Sequence, residues 1–240
     1  MQTNITKAVL LAAGRGTRMR ELTQELPKPM LQVRGKPILQ HIIEGLRDAN
    51  LTEILVVVGW HAEVVCNFFG DGSKLGVRIQ YATQIVQDGT GKVVELAREF
   101  VGPDPFVLSY GDILIAPENY PPICAALAGA EAVVSVKRNE DVTQGGAVFV
   151  NGNFELIDLR EKPKPGEPTS PWYNAGIYAF RASIFGYIEK LERSPRGEFE
   201  LTDAIRNLAL AGKKVQAFEL VGNWADVRDP EILAQLNRWL

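Results

Sequence analysis

The sequence has few of the side chains that bind zinc or act as nucleophiles. Its 240 residues include two histidines and two cysteines. His41 and His61 are too scattered for a typical zinc site, so a bound metal would have to be a hard cation held by carboxylates. Cys66 and Cys124 lie within apolar helical patterns, which predicts buried thiols rather than a disulfide or a nucleophile. Chemistry based on a Ser/His/Asp or Cys/His set is therefore not predicted.

Long apolar runs and an excess of basic residues are also absent. No apolar run is long enough to cross a membrane, and residues 1–4 lead into a predicted strand without a signal peptide. We therefore expect a cytoplasmic protein with no membrane partner. A formal net charge of -3 and a pI near 5.6 argue against a nucleic-acid partner, so any bound nucleotide is expected to be a small molecule. The oligomeric state stays open, a homo-oligomer included.

Composition and hydrophobic periodicity favour one α/β domain. Hydrophobic residues make up 46% of the chain, which is ample for a large core. The pattern predicts a helix over residues 37–50, a buried strand over 53–59, a helix over 63–69 and a strand over 77–81. This alternation is typical of a doubly wound, mostly parallel sheet, whose ligands bind at the carboxyl ends of the strands. Further along, the pattern predicts a helix over 93–100, a hairpin over 145–157 and a closing helix over 230–239.

A glycine–arginine loop follows the first predicted strand. The apolar run from Ala8 to Ala13 stops at Gly14-Arg15-Gly16-Thr17-Arg18, and Lys28 stands between two prolines farther on. Glycines let a loop bring its backbone N–H groups close to an anion, and the nearby cations add positive charge. The spacing fits neither a Walker loop nor the dinucleotide fingerprint. A phosphate-binding loop of another kind is predicted.

Polar residues also lie at the ends of two later predicted strands. Gln84 ends the third predicted strand and precedes the loop Gln87-Asp88-Gly89-Thr90-Gly91-Lys92, whose glycines suit a base or a phosphate. Asp112 follows the next buried strand, where a carboxylate is poorly explained by packing. A metal ion would supply the missing partner. Gln84 as a solvated strand end remains an equal alternative.

Several motifs together resemble the sugar-phosphate nucleotidylyltransferases, which join a nucleoside triphosphate to a sugar 1-phosphate. They are AAGRGTRM, LPKPM, the Gly-Asp at 111–112, the Glu-Lys-Pro at 161–163, the Asn-Ala-Gly at 174–176 and the Trp-Ala-Asp-Val at 224–227. The resemblance implies a three-layer, Rossmann-like fold with a small β meander over the acceptor side. It implies one domain over residues 1–240, in which 1–140 mainly bind the nucleotide and 141–240 mainly bind the sugar phosphate.

The resemblance also implies roles for individual residues. The nucleotide would contact residues of the glycine loop and of the Gln84 region: Ala12, Ala13, Gly14, Arg15, Gly16, Thr17, Gln84, Gly89 and Thr90. The sugar phosphate would contact Gly146, Glu161, Lys162 and Asn174. Asp112 and Asp226 would hold Mg²⁺, and we assign Arg18 to the leaving pyrophosphate and Lys28 to the α-phosphate.

The substrates are less sharply indicated than the reaction. Gln84 favours UTP or dTTP, because in the resembled family a glutamine so placed reads a uracil or thymine edge. The alternatives are cytidylyl or guanylyl transfer to another acceptor, such as an alcohol phosphate or a mannose or heptose phosphate. A non-catalytic regulatory subunit is disfavoured because the charged residues are present. A glycosyltransferase is disfavoured because Ile113 and Leu114, rather than a second aspartate, follow Asp112.

Overall fold

The computed structural model describes residues 5–238, so the end of the closing helix predicted at residue 239 lies outside the described residues. The strands, in chain order, are β1 Lys7–Ala12, β2 Gln32–Val33, β3 Lys36–Pro37, β4 Glu53–Val58, β5 Arg78–Thr83, β6 Phe106–Tyr110, β7 Ile113–Ile115, β8 Ala132–Arg138, β9 Gly146–Val150, β10 Leu156–Glu161, β11 Trp172–Phe180, β12 Val215–Glu219 and β13 Trp224–Asp226. The α-helices are α1 Ile38–Asp48, α2 Ala62–Phe69, α3 Thr90–Glu95, α4 Arg98–Val101, α5 Tyr120–Ala126, α6 Phe185–Ile188, α7 Leu201–Leu210 and α8 Pro230–Arg238.

The chain divides into two compact units. The first unit comprises Thr6–Gln87, Ser109–Tyr120 and the segment that starts at Val221. The second unit comprises Ile5, Asp88–Leu108 and Pro121–Leu220. Each unit has its own set of strands and helices, and each contains part of the predicted site.

The first unit contains three parallel strands in the order β1-β4-β5. Lys7 pairs with Glu53 at one end of the register and Ala12 pairs with Val58 at the other. The middle strand β4 is buried from Ile54 to Val58, as expected of a parallel strand covered on both faces. Helix α1 turns five apolar residues inward: Ile38, Leu39, Ile42, Ile43 and Leu46. The predicted helix and strands of this region are confirmed to within a few residues at each end.

A short antiparallel ribbon in the first unit joins distant parts of the chain. β13 pairs with β7, so that Asp226 lies opposite Ile113 and Trp224 lies opposite Ile115. The buried side chain of Asn119 holds the approach to β13, because its Oδ1 accepts the N–H of Val221 at 2.9 Å. The ribbon brings residues more than one hundred positions apart into register.

The second unit is mostly antiparallel. β11 runs antiparallel to β8, β12 runs parallel to β8, and the hairpin β9–β10 joins β11 through the pair Tyr173 and Ala147. Every residue of β11 is buried. The second strand of the hairpin was expected at 154–157 but runs over Leu156–Glu161, because a register irregularity after Leu156 moves the pairing along the chain.

Two other expectations need correction. The helix predicted over 93–100 is two pieces, α3 and α4, because Leu96 and Ala97 interrupt the regular turn between them. Cys66 and Cys124 are unpaired, as predicted, but they are half-buried rather than buried. Burial still raises the pKa of the Cys124 thiol to about 11, which keeps it protonated at neutral pH. Among residues 5–238, no helix combines the length and the apolar character needed to cross a membrane.

Candidate active site

The glycine loop begins where β1 ends. Ala12 and Ala13 are buried, whereas Gly14, Arg15, Thr17 and Arg18 are exposed. A Cβ added at Gly14 would meet nothing within 4 Å, so the space above this residue is open. The loop therefore presents backbone and cationic side chains to an open space beside the carboxyl end of a parallel strand.

Gly16 lies directly against Lys28. Gly16 has φ +63°, and a Cβ built on it would lie 2.9 Å from the Cβ of Lys28. A side chain at this position would be strained by the backbone and would collide with the lysine. The second glycine of the loop thus serves two purposes, since it makes the turn and leaves room for Lys28.

Lys28 forms an ion pair with Asp112. The Nζ of Lys28 lies 2.5 Å from the Oδ2 of Asp112, and the two side chains are 12% and 29% exposed. The neighbouring residues Pro27 and Pro29 fix the backbone of the short turn that carries the lysine. The lysine is thus held in one direction, towards the carboxylate.

Asp112 and Asp226 are brought together by the β7–β13 ribbon. The backbone N–H of Val227 donates to the carbonyl of Asp112 at 3.0 Å, which adds a bond at the site end of the ribbon. Burial, and secondarily the negative charge of Asp112, raises the pKa of Asp226 to about 6. The positive charges of Lys28 and Arg18 act in the opposite direction. Arg18, Lys28, Asp112 and Asp226 therefore form one charged cluster within the first unit.

The residues predicted to contact the base lie in both units. Gln84 follows β5 in the first unit, is half-buried, and donates its backbone N–H to Val58 at 2.8 Å. In the second unit, a Cβ at Gly89 would collide with the carbonyl oxygen of Phe199. The hydroxyl of Thr90 accepts the N–H of Leu201 at 3.1 Å. Packing on residues 199–201 thus explains the glycine and the threonine without a ligand.

The four residues predicted to contact the sugar phosphate lie together in the second unit. Gly146 pairs with Glu161 across the β9–β10 hairpin, and a Cβ at Gly146 would lie 3.0 Å from the Cβ of Asn174. Asn174 is buried and hydrogen-bonds through its amide to the hydroxyl of Tyr178 at 2.7 Å. Lys162 has φ +43° and donates its backbone N–H to Gly145 at 2.5 Å. Lys162 therefore adopts a left-handed backbone conformation directly after β10, which costs free energy for a non-glycine residue.

The sequence did not predict that Arg196 and Glu200 lie beside Glu161 in the second unit. The Nη1 of Arg196 lies 3.7 Å from Glu161 and 3.1 Å from Glu200, which is 3% exposed. Burial, and then the charge of Glu200, raises the pKa of Glu161 to about 7. The only local signal is the alternation of charge from Arg196 to Glu200 ahead of an apolar helix. Such runs are common on surfaces, so the pattern alone does not single out a site.

The sequence did not predict that the side chain of Gln87 contacts the glycine loop. Its side-chain amide donates to the carbonyl of Ala13 at 3.1 Å, which ties the loop after β5 to the glycine loop. No sequence motif links these two positions, which are 74 residues apart.

The parallel strands β1, β4 and β5, with a glycine loop at the carboxyl end of β1, are typical of the class of α/β nucleotide-binding proteins. Within this class, the chain belongs to the nucleotidyl transferase family, whose family model matches residues 7–239. The resemblance to sugar-phosphate nucleotidylyltransferases is thereby confirmed. The likeness to solved structures confirms the predicted fold class.

Individual relatives agree with the family. The bifunctional protein GlmU of Methanococcus maripaludis is 37% identical over 97% of this chain, and the match covers 54% of GlmU. The low-salt glycan biosynthesis nucleotidyltransferase Agl11 of Haloferax volcanii is 34% identical over 97% of this chain and 65% of its own length. The chain therefore spans about half to two thirds of the length of these curated relatives.

Solved structures share the fold. A Bacillus anthracis protein named as a glucose-1-phosphate thymidylyltransferase, crystallised with sucrose, superposes with a TM-score of 0.87 at 30% identity. The superposition covers 96% of this chain and 93% of that protein. The likeness therefore extends over both compact units.

Proposed function

We propose that this protein is a sugar-1-phosphate nucleotidyltransferase that joins a nucleoside triphosphate to a sugar 1-phosphate and releases pyrophosphate. The observation that carries the proposal is the cluster of Arg18, Lys28, Asp112 and Asp226 beside an open glycine loop. The family and its named relatives support the same reaction class. The proposed reaction needs no nucleophile from the protein.

The reaction is a substitution at phosphorus. An oxygen of the sugar phosphate forms a bond to the α-phosphorus of the triphosphate, and the bond from that phosphorus to the pyrophosphate oxygen breaks. No proton has to be removed, because a phosphate monoester is already largely anionic near neutral pH. The barrier is the repulsion between two anions, so the protein must position them and neutralise the charge.

The cationic residues are suited to that task. Arg18 would pair with the leaving pyrophosphate, and Lys28 would contact the α-phosphate while Asp112 holds it in place. The backbone of residues 12–17 would bind the triphosphate through its N–H groups. The open space above Gly14 supports this assignment, because a phosphate could approach the backbone there without a collision.

The carboxylate pair fits a magnesium ion. Asp112 and Asp226 are oxygen donors whose mutual repulsion would be relieved by a divalent cation. Among the residues that the structure describes, no group of three metal-ligating side chains occurs. Two carboxylates, with the remaining positions left to phosphate and water, are the donor set that Mg²⁺ prefers. When bound, Mg²⁺ would neutralise phosphate charge.

The second unit supplies the residues for the acceptor. Glu161 would hydrogen-bond sugar hydroxyls, Lys162 would pair with the sugar phosphate, and Gly146 and Asn174 would line the pocket. The donor favoured by Gln84 is UTP or dTTP. The thymidylyltransferase name of the Bacillus anthracis structure supports dTTP as the donor.

Pyrophosphate release tests the proposal. The protein is incubated with Mg²⁺ and each of UTP, dTTP, CTP and GTP, together with a panel of sugar 1-phosphates and alcohol phosphates. Release that depends on both substrates, largest with UTP or dTTP and a sugar phosphate, is expected. Release with CTP or GTP and another acceptor would support the alternative substrates. Binding of triphosphate without release from any pair would support a regulatory subunit and overturn the proposal.

A further inference from the structure

Trp60 contacts the glycine loop and the turn that follows it at three points. Residues 14–25 are called the loop in this subsection. Its backbone N–H donates to the carbonyl of Ala13 at 3.3 Å, before the loop turns away from β1. The guanidinium carbon of Arg15 lies 5.0 Å from the centre of the indole ring. The indole Nε1–H donates to the carbonyl of Thr23 at 3.2 Å. One side chain and its own backbone therefore join the beginning and the end of the loop.

His61 extends the same contact. Its ring Nε2 lies 3.0 Å from the carbonyl of Gln24, to which it can donate, and its Nδ1 lies 3.1 Å from Glu63. The ring meets the Trp60 ring edge-on, with a centroid separation of 4.4 Å. His61 has φ +50°, which costs free energy for a non-glycine residue. These contacts offset the cost of holding the imidazole under the loop.

Few other contacts of the described residues hold the loop: the Thr23 hydroxyl donates to the carbonyl of Gly16 at 3.1 Å, Gln87 donates to Ala13, and Gly16 packs against Lys28. Of residues 14–25, only Met19 and Thr23 are buried. No side chain caps the turn that begins after Gly16, and Arg20 interrupts that turn with φ 55° and ψ -122°. A segment with so few buried contacts opens more easily than the sheet beside it. The contacts from Trp60 and His61 are therefore a substantial share of what fixes its conformation.

We propose that Trp60 and His61 are positioning residues that hold the Arg15–Arg18 segment in its phosphate-binding conformation before the triphosphate binds. The inference rests on the proposed function for the identity of the ligand. A loop ordered in advance does not have to be ordered on binding, so the contribution appears in affinity for the triphosphate. Binding that is equal in ground and transition states changes KM rather than kcat.

Graded substitutions at Trp60 separate the two contacts. Trp60→Phe keeps an aromatic face under Arg15 and removes the Nε1–H donor, and we expect the KM for the triphosphate to rise about 2- to 10-fold. Trp60→Ala removes both contacts, and we expect about 5- to 50-fold. The KM for the sugar phosphate should stay within about 2-fold, and kcat should fall by a smaller factor than the triphosphate KM rises, because Arg18 is assigned to the leaving pyrophosphate.

A matched control exists in the second unit. Trp172 also lies under an arginine, with the guanidinium carbon of Arg138 4.0 Å from its ring centre. Trp172→Phe should leave the KM for the triphosphate within about 2-fold of wild type. A triphosphate KM that is unchanged in Trp60→Ala, or a fall in kcat alone, would overturn the inference.

Limited trypsin digestion tests whether Trp60 and His61 hold the loop, and it does not depend on enzymatic activity. The loop contains three arginines, at positions 15, 18 and 20, and the rate of cleavage after each is followed by mass spectrometry of the fragments. We expect cleavage to be at least about 5-fold faster in Trp60→Ala than in wild type, because the loop opens more often. His61→Asn, which tolerates the left-handed backbone, should show a smaller increase. Equal cleavage in all variants would overturn the inference. Wild type that releases no pyrophosphate would refute only the proposed function.

Discussion

Removing the charge of Lys28 should lower kcat strongly while leaving the protein folded. The perturbation is Lys28→Met, which keeps the length and apolar stem of the side chain. The lysine is 12% exposed and its Nζ contacts Asp112 at 2.5 Å, so its charge is placed beside the two carboxylates and the glycine loop. Deleting one charge contact of this kind from a transition state costs roughly 10²–10³-fold in kcat.

The loss of stability should be too small to explain such an effect. Asp112 is 29% exposed, so water can take over part of the lost interaction. The expected decrease in the free energy of unfolding is about 1–2 kcal/mol, against a typical total of about 5–15 kcal/mol. More than about 90% of the variant should then stay folded at 25 °C. Catalysis and stability are therefore separable in this variant.

The assay compares Lys28→Met with Lys36→Met. Lys36 pairs with Glu44 at 2.8 Å but is 47% exposed, so the same substitution removes an ion pair from the surface of the same unit. Pyrophosphate release is measured with saturating substrates, and thermal unfolding is measured for both variants. Lys36→Met should keep kcat within about 2-fold and change stability by less than about 1 kcal/mol. If Lys28→Met keeps more than about a third of the wild-type kcat, the lysine has no transition-state role.

Three further outcomes are expected. Gly16→Ala should lower kcat/KM about 10- to 100-fold, because a Cβ there would lie 2.9 Å from that of Lys28 and φ is +63°. Asp112→Asn should abolish Mg²⁺-dependent turnover, a loss of at least about 10²-fold in kcat, and should leave the fold intact in circular dichroism. Burial raises the pKa of Glu161 to about 7, so the folded protein retains a proton that the unfolded chain loses. Stability should therefore fall as pH rises from about 4.5 to about 7, and Glu161→Gln should remove up to about 3 kcal/mol of that fall in urea unfolding.

Each of these outcomes has a control or a contrary result. Gly14→Ala places its Cβ in open space, so it should leave the melting temperature unchanged, whereas Gly16→Ala should lower it. Unfolding of Asp112→Asn would mean that this carboxylate serves the structure instead of a metal. A stability profile of Glu161→Gln that is identical to wild type from pH 5 to pH 8 would show that Glu161 ionises at its ordinary pKa.

Local patterns in the sequence predicted the regular part of the fold. The apolar run before Gly14 and the apolar period of α1 depend only on neighbours within one or two turns, so the order of strands and helices could be deduced from them. The glycine loop and its flanking strand were likewise recognisable, because the chemistry lies in consecutive residues. Boundaries were wrong where a bulge or a broken helix intervened, as at Leu156 and at Leu96.

Only the tertiary structure decided which charges meet. Asp226 reaches Asp112 through a ribbon of two three-residue strands, and such strands are too short to show a period in the sequence. The contact between Gly16 and Lys28, the indole of Trp60 across the loop, and Arg196 between two glutamates also depend on long-range register. Long-range register is fixed by backbone pairing and by close packing between segments far apart in the chain, and no local pattern of residues encodes it.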